Sequence, residues 1–532
     1  FQRSHDLAVT NFFFFFVMRF AALVATLAAA HLRQPQFGSE FVTAVRDMHS
    51  TLGIDDHSRG VPPRQSDLRL SVVRIVSSIS EPSPLAPWDA GLSSKAVGTG
   101  FVVSEDPLLF VTNAHVVANA VSLDVEVPFV TGQQTFAAQV EMICFTYDVA
   151  LVSFANQSSV VAAVAAKGQH LRKLAIFEGA AVLGEDVLAL GYPLGVQNAK
   201  LSSGLISGSS PVGGVVAFQH TAPTSPGSSG GPLLRKGSHE VLGITFAASA
   251  EAAQQNNNYA VPGWRVQQVV QAYHHRLTSN ATAASEGPRY RLRISSRDAI
   301  VEPVSPALQL TTGCGSDGVF VTTVYPHSVL FGRVPRRSMM LAIDGIGLDR
   351  FGVGRKPQYM DDSVSFQDLL LMQPDVEGDA TVTFCVDGIV TNATVPLGWN
   401  ASYETGVGDV EELLYSDTPY EVFADVAVGP ANAQAVLEAM KSSPVAAGLL
   451  APQRAQESHL MVYLSGSADG LVSVGDIVAS INGIPVHTIE DFREAFVPGE
   501  ILERVVRAAS AHASPQAARG SAGSYGAAGQ NG

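Results

Sequence analysis

From residue 68 to about residue 262 the chain runs as short apolar, β-branched segments cut by Gly, Pro, Asn and Ser. The segments include 98–103 (GTGFVV), 108–112 (LLFVT), 149–154 (VALVSF), 186–190 (DVLAL) and 241–246 (VLGITF). None is long enough for a helix of ordinary length, and many short strands with regular turn signals close into a barrel or stack as a sandwich. With 48 glycines and 29 prolines the composition supplies the turns. A hydrophobic fraction of 46% against 15% charged residues excludes general disorder. The net charge of −15 and the lack of a long basic cluster exclude a nucleic-acid binder, which the phosphate backbone would repel. No GxxxxGK segment offers a nucleotide phosphate cradle, and neither a metal nor another cofactor is expected.

After this region, Val266, Val269, Val270, Tyr273 and Leu277 recur at helical spacing and predict a helix over 264–277. Residues 278–288 read as a linker. Beyond it lies an internal repeat. Residues 337–348 (RSMMLAIDGIGL) and 475–486 (GDIVASINGIPV) correspond at a constant offset of 138, each a strand, a tight Asp-Gly or Asn-Gly turn and a strand. An apolar strand precedes each copy, at 318–324 and 459–464. A helix is expected after each, at 363–372 and 488–496. The expected division is therefore 1–38 as targeting residues, 39–67 as an N-terminal segment with a short helix over 39–55, and 68–277 as a β domain. The linker at 278–288 leads to a small domain at 289–400, a second linker at 401–416, a second small domain at 417–507 and a disordered Ala/Gly/Ser tail at 508–532.

Met18 opens a signal-like pattern, with Arg19 as the basic residue, an apolar run over 20–30 and the small residues Ala28-Ala29-Ala30 for cleavage. A secretory or extracytoplasmic destination is the expectation, and a mature chain without a stable membrane span. Two alternatives stand beside it. Residues 18–39 lack Asp and Glu, as mitochondrial and other organelle presequences do, and residues 12–32 would serve as an anchor interrupted by Arg19. Sequons occur at Asn156, Asn280, Asn392 and Asn400. The three cysteines, Cys144, Cys314 and Cys385, match no zinc spacing and make no disulfide framework. They read as buried thiols, with a Cys314–Cys385 bond as the alternative in a secreted chain.

Gly227-Ser228-Ser229-Gly230-Gly231-Pro232 carries the strongest chemical signal. A nucleophilic serine needs a tight turn that exposes its hydroxyl and aims backbone N–H groups at a developing oxyanion, and glycines permit such a turn. The N–H groups of Gly227 and Ser229 are the candidate oxyanion hole. A serine hydroxyl is a weak nucleophile and requires a base. His115, directly after the strand LLFVT, is the candidate base. Asp148, which opens VALVSF, is the candidate for orienting the imidazole. Taken singly, each has an ordinary structural reading. The order His, Asp, Ser with each at a strand edge is the order of the chymotrypsin class.

On these residues the chain resembles the Deg/HtrA family of serine proteases. The segments that carry the resemblance are TNAHVV (112–117), YDVALV (147–152), GYPLG (191–195), TAPTSPGSSGGPLL (221–234), VLGITF (241–246) and NYAVP (258–262). The resemblance implies a mainly β chain, a chymotrypsin-like double β-barrel followed by two PDZ-like α+β domains. It implies ATP-independent cleavage of unfolded or partly folded polypeptides in protein quality control, and a homo-oligomer of trimers or their multiples. Thr245, Phe246 and Ala247 are expected to line the pocket for the residue before the cut, favouring small or medium apolar side chains. Two departures stand out. Ser228 occupies a position where the family usually has Asn. Arg337-Ser338 replaces a Gly-Asp pair, and Arg293 sits where a glycine would help cradle a peptide carboxylate. The first small domain is therefore a poor candidate for capturing peptide termini and a candidate for packing on the protease or a neighbouring subunit. An inert scaffold and an esterase are the competing readings. The loops at 81–96 and 247–258 are expected to regulate.

Overall fold

A computed structural model describes residues 68–496 except 82, 90, 133, 247–257, 280–288, 316, 327, 400–417, 424, 451–456 and 467–470. They lie in one compact unit beginning at Pro63. The targeting segment, the helix over 39–55, the sequons at Asn280 and Asn400, most of both linkers and the C-terminal tail fall outside the described residues.

The first six strands are β1 (Val72–Glu81), β2 (Leu92–Glu105), β3 (Leu108–Thr112), β4 (Ala120–Glu126), β5 (Thr135–Cys144) and β6 (Val149–Phe154). They pair in the order β5-β4-β1-β2-β3-β6, and β6 pairs back onto β5, which closes a barrel. The two-residue period of β1 drives the closure. Val73, Ile75, Ser77 and Ile79 are buried while Arg74, Val76, Ser78 and Ser80 between them are partly exposed. Inside, Val73, Ile75, Phe110, Val125 and Phe154 share one core, with Phe110 and Phe154 edge to face at 4.9 Å.

Six further strands form a second closed barrel in the order β10-β11-β12-β9-β8-β7. These are β7 (Asp186–Gly191), β8 (Lys200–Val212), β9 (Val215–His220), β10 (Pro232–Arg235), β11 (Val241–Phe246) and β12 (Asn258–Pro262). Two of the helices in this half of the chain bear on the site. The single turn α1 (Ala114–Val117) leaves β3, and α2 (Gly263–Thr278) leaves β12 and buries Trp264, Val266, Val269 and Tyr273.

The chain then returns to the first barrel. β13 (Tyr290–Arg291) pairs in parallel with β5, Tyr290 opposite Met142 and Arg291 opposite Ile143. Next comes the sheet β14-β15-β16-β20-β21, built from Ala299–Glu302, Val319–Val324, Met339–Ile343, Asp379–Val386 and Ile389–Pro396. β17 (Ile346–Gly347) folds back on β16, β18 (Val353–Gly354) and β19 (Val364–Ser365) form a ribbon, and α3 (Phe366–Leu371) follows. The second repeat unit is a sheet of β22 (Glu421–Phe423), β23 (Val426–Pro430), β24 (Leu460–Ser465) and β25 (Ile477–Val478). It also holds the ribbon of β26 (Ser480–Ile481) and β27 (Ile484–Pro485), and the helices α4 (Ala433–Ala439) and α5 (Ile489–Phe496).

Both predicted Xaa-Gly turns form with two left-handed residues. Asp344 and Gly345 have φ of 47° and 77°, and Asn482 and Gly483 have 51° and 79°. This is the turn whose twist matches that of its strands. The cysteine expectation needs correction. Cys314 and Cys385 are joined in a disulfide across 71 residues, with Cα atoms 6.1 Å apart. Sequence spacing could not show that Cys314, beside β15, and Cys385, on β20, meet next to Met339 and Val304. Cys144 is buried outside this bond.

Candidate active site

His115 lies in the one-turn helix that follows β3, and Asp148 sits in the turn that feeds β6. Because β3 and β6 are paired neighbours, Thr112 lies opposite Ala150, and both residues emerge at the same end of the first barrel. Asp148 adopts a left-handed conformation with φ of 54°, a region Asp tolerates better than most residues. Three bonds hold it there. Its N–H donates to Phe145 O at 2.9 Å, Asn113 Nδ2 donates to its carbonyl at 2.9 Å, and the His115 backbone N–H donates to Oδ1 at 2.9 Å. The imidazole completes the clasp. His115 Nδ1 lies 2.8 Å from Asp148 Oδ2 and 3.1 Å from Oδ1. With the proton on Nδ1, Nε2 is left as the basic atom. Partial burial by itself would lower the His115 pKa. The hydrogen bond and negative charge of Asp148 outweigh it, and the net shift is upward.

Ser229 comes from the second barrel, in the turn that leads into β10. The turn is sewn to both barrels. Thr99 on β2 gives its N–H to Ser229 O at 2.8 Å and its hydroxyl to Gly227 O at 2.8 Å. Thr245 on β11 gives its hydroxyl to Ser228 O at 3.0 Å and to Gly231 O at 3.1 Å. The glycines are required by space as well as by torsion. Gly227 has φ of 94°, and a Cβ there would lie 2.5 Å from Tyr192 O. At Gly230, with φ of 86°, a Cβ would run into Thr99 O and Thr112 Oγ1. Gly230 thus packs on Thr112 and Asn113, two residues before His115, which brings the serine turn up against the His115–Asp148 pair.

Leu194 N–H donates to Pro226 O at 2.6 Å. In a trans peptide the N–H and C=O point in opposite directions. Anchoring the Pro226 carbonyl on Leu194 therefore turns the Gly227 N–H away from that loop. Ser228, where an Asn was expected, is buried and accepts the Ser225 N–H at 3.4 Å.

The residues singled out for the substrate pocket separate. Thr245 is 1% exposed and its hydroxyl is spent on the turn, so it braces the serine rather than facing a substrate. Phe246 is partly exposed and stacks on Tyr259 at 6.0 Å. Ala247 lies outside the described residues, as does the rest of the loop through 257. The residues that sequence reasoning passed over are Thr99, Asn113 and Leu194. A polar Thr between Gly98 and Gly100 in an apolar strand was the available signal for the first. Among the described residues no cluster of three or more His, Cys, Asp or Glu could hold a metal, and no helix is long and apolar enough to cross a membrane.

Two closed six-stranded barrels carry the His115–Asp148 pair on one and the Ser229 turn on the other, and residues 98–244 match the trypsin-like peptidase domain. The chain is 28% identical over 283 residues to "Protease Do-like 4, mitochondrial" of Arabidopsis thaliana, covering 52% of this chain and 49% of that protein. It is 31% identical over 215 residues to "Serine protease HTR4" of Bos taurus, covering 39% and 40%. Among solved structures it is similar to "HtrA-type protease AlgW with tripeptide", with a TM-score of 0.43 and 17% identity over 63% of this chain and 95% of that one. The chain is thus similar to Do-like and HtrA serine proteases across its trypsin-like peptidase domain. It spans about half the length, or less, of the curated relatives it matches.

Proposed function

We propose that the chain is an active serine endopeptidase that works through an acyl-enzyme. His115 takes the Ser229 proton as the hydroxyl attacks the scissile carbonyl, then returns a proton to the leaving amine. Asp148 fixes the tautomer and stabilises the imidazolium. The N–H groups of Gly227 and Ser229 bind the oxyanion, each such donor contributing on the order of 3 kcal/mol. Water then releases the acyl group, and neither ATP nor a metal takes part. The observation that carries this reading is the two-point bond between the His115 ring and Asp148, set against a serine turn that only glycines allow.

The substrates inferred are unfolded or partly folded polypeptides with small or medium apolar residues before the cut, as in protein quality control. The assembly inferred is a trimer or a multiple of it. Residues 289–400 and 417–507 are inferred to be PDZ-like. Capture of a peptide carboxylate is assigned to neither wall of the first unit. Its Tyr290–Leu292 segment bonds β5, and its α3 faces α2. "Mitochondrial" stands in the names of two Arabidopsis relatives, which favours the organelle alternative over the secretory one.

The test is labelling of the full chain with a fluorophosphonate, the adduct being mapped by mass spectrometry. An adduct on Ser229, absent in Ser229→Ala, is the expected result. A folded protein that stays unlabelled, with and without added unfolded protein, would overturn the reading in favour of an inert scaffold.

A further inference from the structure

Asp368, on α3 of the first repeat unit, is buried among protease residues. Its Oδ1 faces Arg265 Nη2 at 3.3 Å and accepts the Val216 backbone N–H at 3.1 Å, while its Oδ2 accepts the Ser365 hydroxyl at 2.9 Å. The Arg265 side chain on α2 has no exposure to solvent at all. A guanidinium so placed must be matched by charge or by a polarisable surface, since desolvating a cation is costly. Asp368 gives the charge. The surface comes from two rings, with the Arg265 guanidinium carbon 4.8 Å from the centroid of Trp264 and 4.8 Å from that of Tyr147.

Tyr147 directly precedes Asp148. Its ring is 1% exposed and belongs to a core that includes Leu371 and Val376 of the first repeat unit. Asp148 holds a left-handed φ in a four-residue turn, so its carboxylate position depends on how Tyr147 is seated. A continuous set of contacts therefore runs from Asp368 through Arg265 and Tyr147 to Asp148 and His115. The other titratable groups around Arg265 are Arg297 and Cys144.

We propose that Arg265 and Asp368 are positioning residues for the His115–Asp148 pair, so that the first repeat unit is a working part of the catalytic domain. The inference rests on the reading of His115, Asp148 and Ser229 as the catalytic set. The geometry further requires that the guanidinium, and not interface packing in general, seats Tyr147. Three full-length variants separate these. Asp368→Asn removes the charge match. Arg265→Met with Asp368→Leu replaces the pair by apolar groups, a change that generally leaves a fold intact. Glu377→Gln breaks the partly exposed Arg276–Glu377 contact, 2.5 Å long, on the same interface but eleven residues along α2 from Arg265.

The measurements are the His115 ring titration by NMR, assigned with His115→Gln, and kcat and KM on a peptide. The expected result is that the first two variants lower the His115 pKa toward its ordinary value. The acid limb of kcat/KM then moves to lower pH, because a base with a lower pKa is neutral sooner as pH rises. Their kcat falls roughly tenfold or more with KM little changed, the scale of a misplaced catalytic group, and Glu377→Gln changes neither. An unaltered titration and kcat in the folded double variant would overturn the proposal, and so would equal shifts in Glu377→Gln. If the wild type takes no fluorophosphonate, the protease reading fails by itself and the His115 titration still decides the coupling.

Discussion

The two repeat units share a sequence pattern and treat the protease in opposite ways. In the first, Val319, Val321, Met340, Leu369 and Val395 lie in the same apolar core as Val187, Phe218 and Leu233 of the second barrel and Trp264 of α2. Gln268 on α2 donates to the Leu371 carbonyl at 3.1 Å and also to that of Gln373. In the second, among the described residues, Ala427, Ala435, Val436 and Met461 form a core joined from outside by Leu85, and Val428, Leu460, Ile489 and Phe492 form another made within the unit. Its ion pairs Arg493–Glu421 and Lys441–Glu438 are internal. The further contact with the β1–β2 loop is a ring pair, Trp88 with Tyr420 at 5.1 Å. The difference teaches that a domain repeat in sequence says nothing about which surface each copy buries. One copy has been absorbed into the core of the two-barrel domain, and the other retains a core largely its own.

The widest gap between the units should open on truncation. A chain ending at residue 399 loses the second unit and should remain soluble, with Ser229 labelled by fluorophosphonate near the full-length level. A chain ending at residue 279 bares the core around Trp264 and leaves Arg265 without its carboxylate. It should be insoluble or unfolded by circular dichroism. Equal behaviour of the two truncations would break the comparison.

What the sequence made legible follows physical range. The strands, the His-Asp-Ser order and both Xaa-Gly turns depend on local patterns of period two or on single dipeptides, and they stand where those patterns are. The braces of the site are legible only in part. Thr99 sits in a quoted segment, but its role depends on a turn 128 residues away. Thr245 was placed by its position after the serine turn, which fixes the strand but not the direction of the hydroxyl. Arg265 and Asp368 were not seen at all. Each is a charged residue in a helical segment, the usual mark of a solvated face, and their 103-residue separation hides the pair. The parallel bond of Tyr290–Arg291 to β5 is missed for the same reason, and the Cys314–Cys385 disulfide stood only as an alternative to free thiols.

The next effect in size compares two arginines. Arg265→Met strands Asp368 in a buried site and should cost about 3–5 kcal/mol, read from the urea midpoint of the first cooperative transition. Arg493→Met removes an ion pair whose arginine is 54% exposed and should cost under about 1 kcal/mol. Similar costs would mean that the first interface is as loosely held as the surface of the second unit.

The smallest effect lies at one corresponding position of the repeat. Arg337 and Gly475 are 138 residues apart, and both take left-handed backbone, with φ of 64° and 90°. Each N–H bonds a strand carbonyl, Arg337 to Val321 O at 2.8 Å and Gly475 to Val462 O at 2.9 Å. An L side chain in that region is strained by roughly 1–2 kcal/mol, and glycine is not. Arg337→Gly should therefore stabilise the first unit by about 1 kcal/mol, the extra freedom of an unfolded glycine offsetting part of the gain. The reverse change is not its mirror. A Cβ at Gly475 would lie 2.8 Å from Ser443 Cβ, so Gly475→Ala adds a clash to the strain and should lower the melting temperature of the second unit. If Arg337→Gly instead destabilises, the arginine side chain holds the first unit by contacts that outweigh its backbone strain, and the two copies differ in their turns as well as in what they bury.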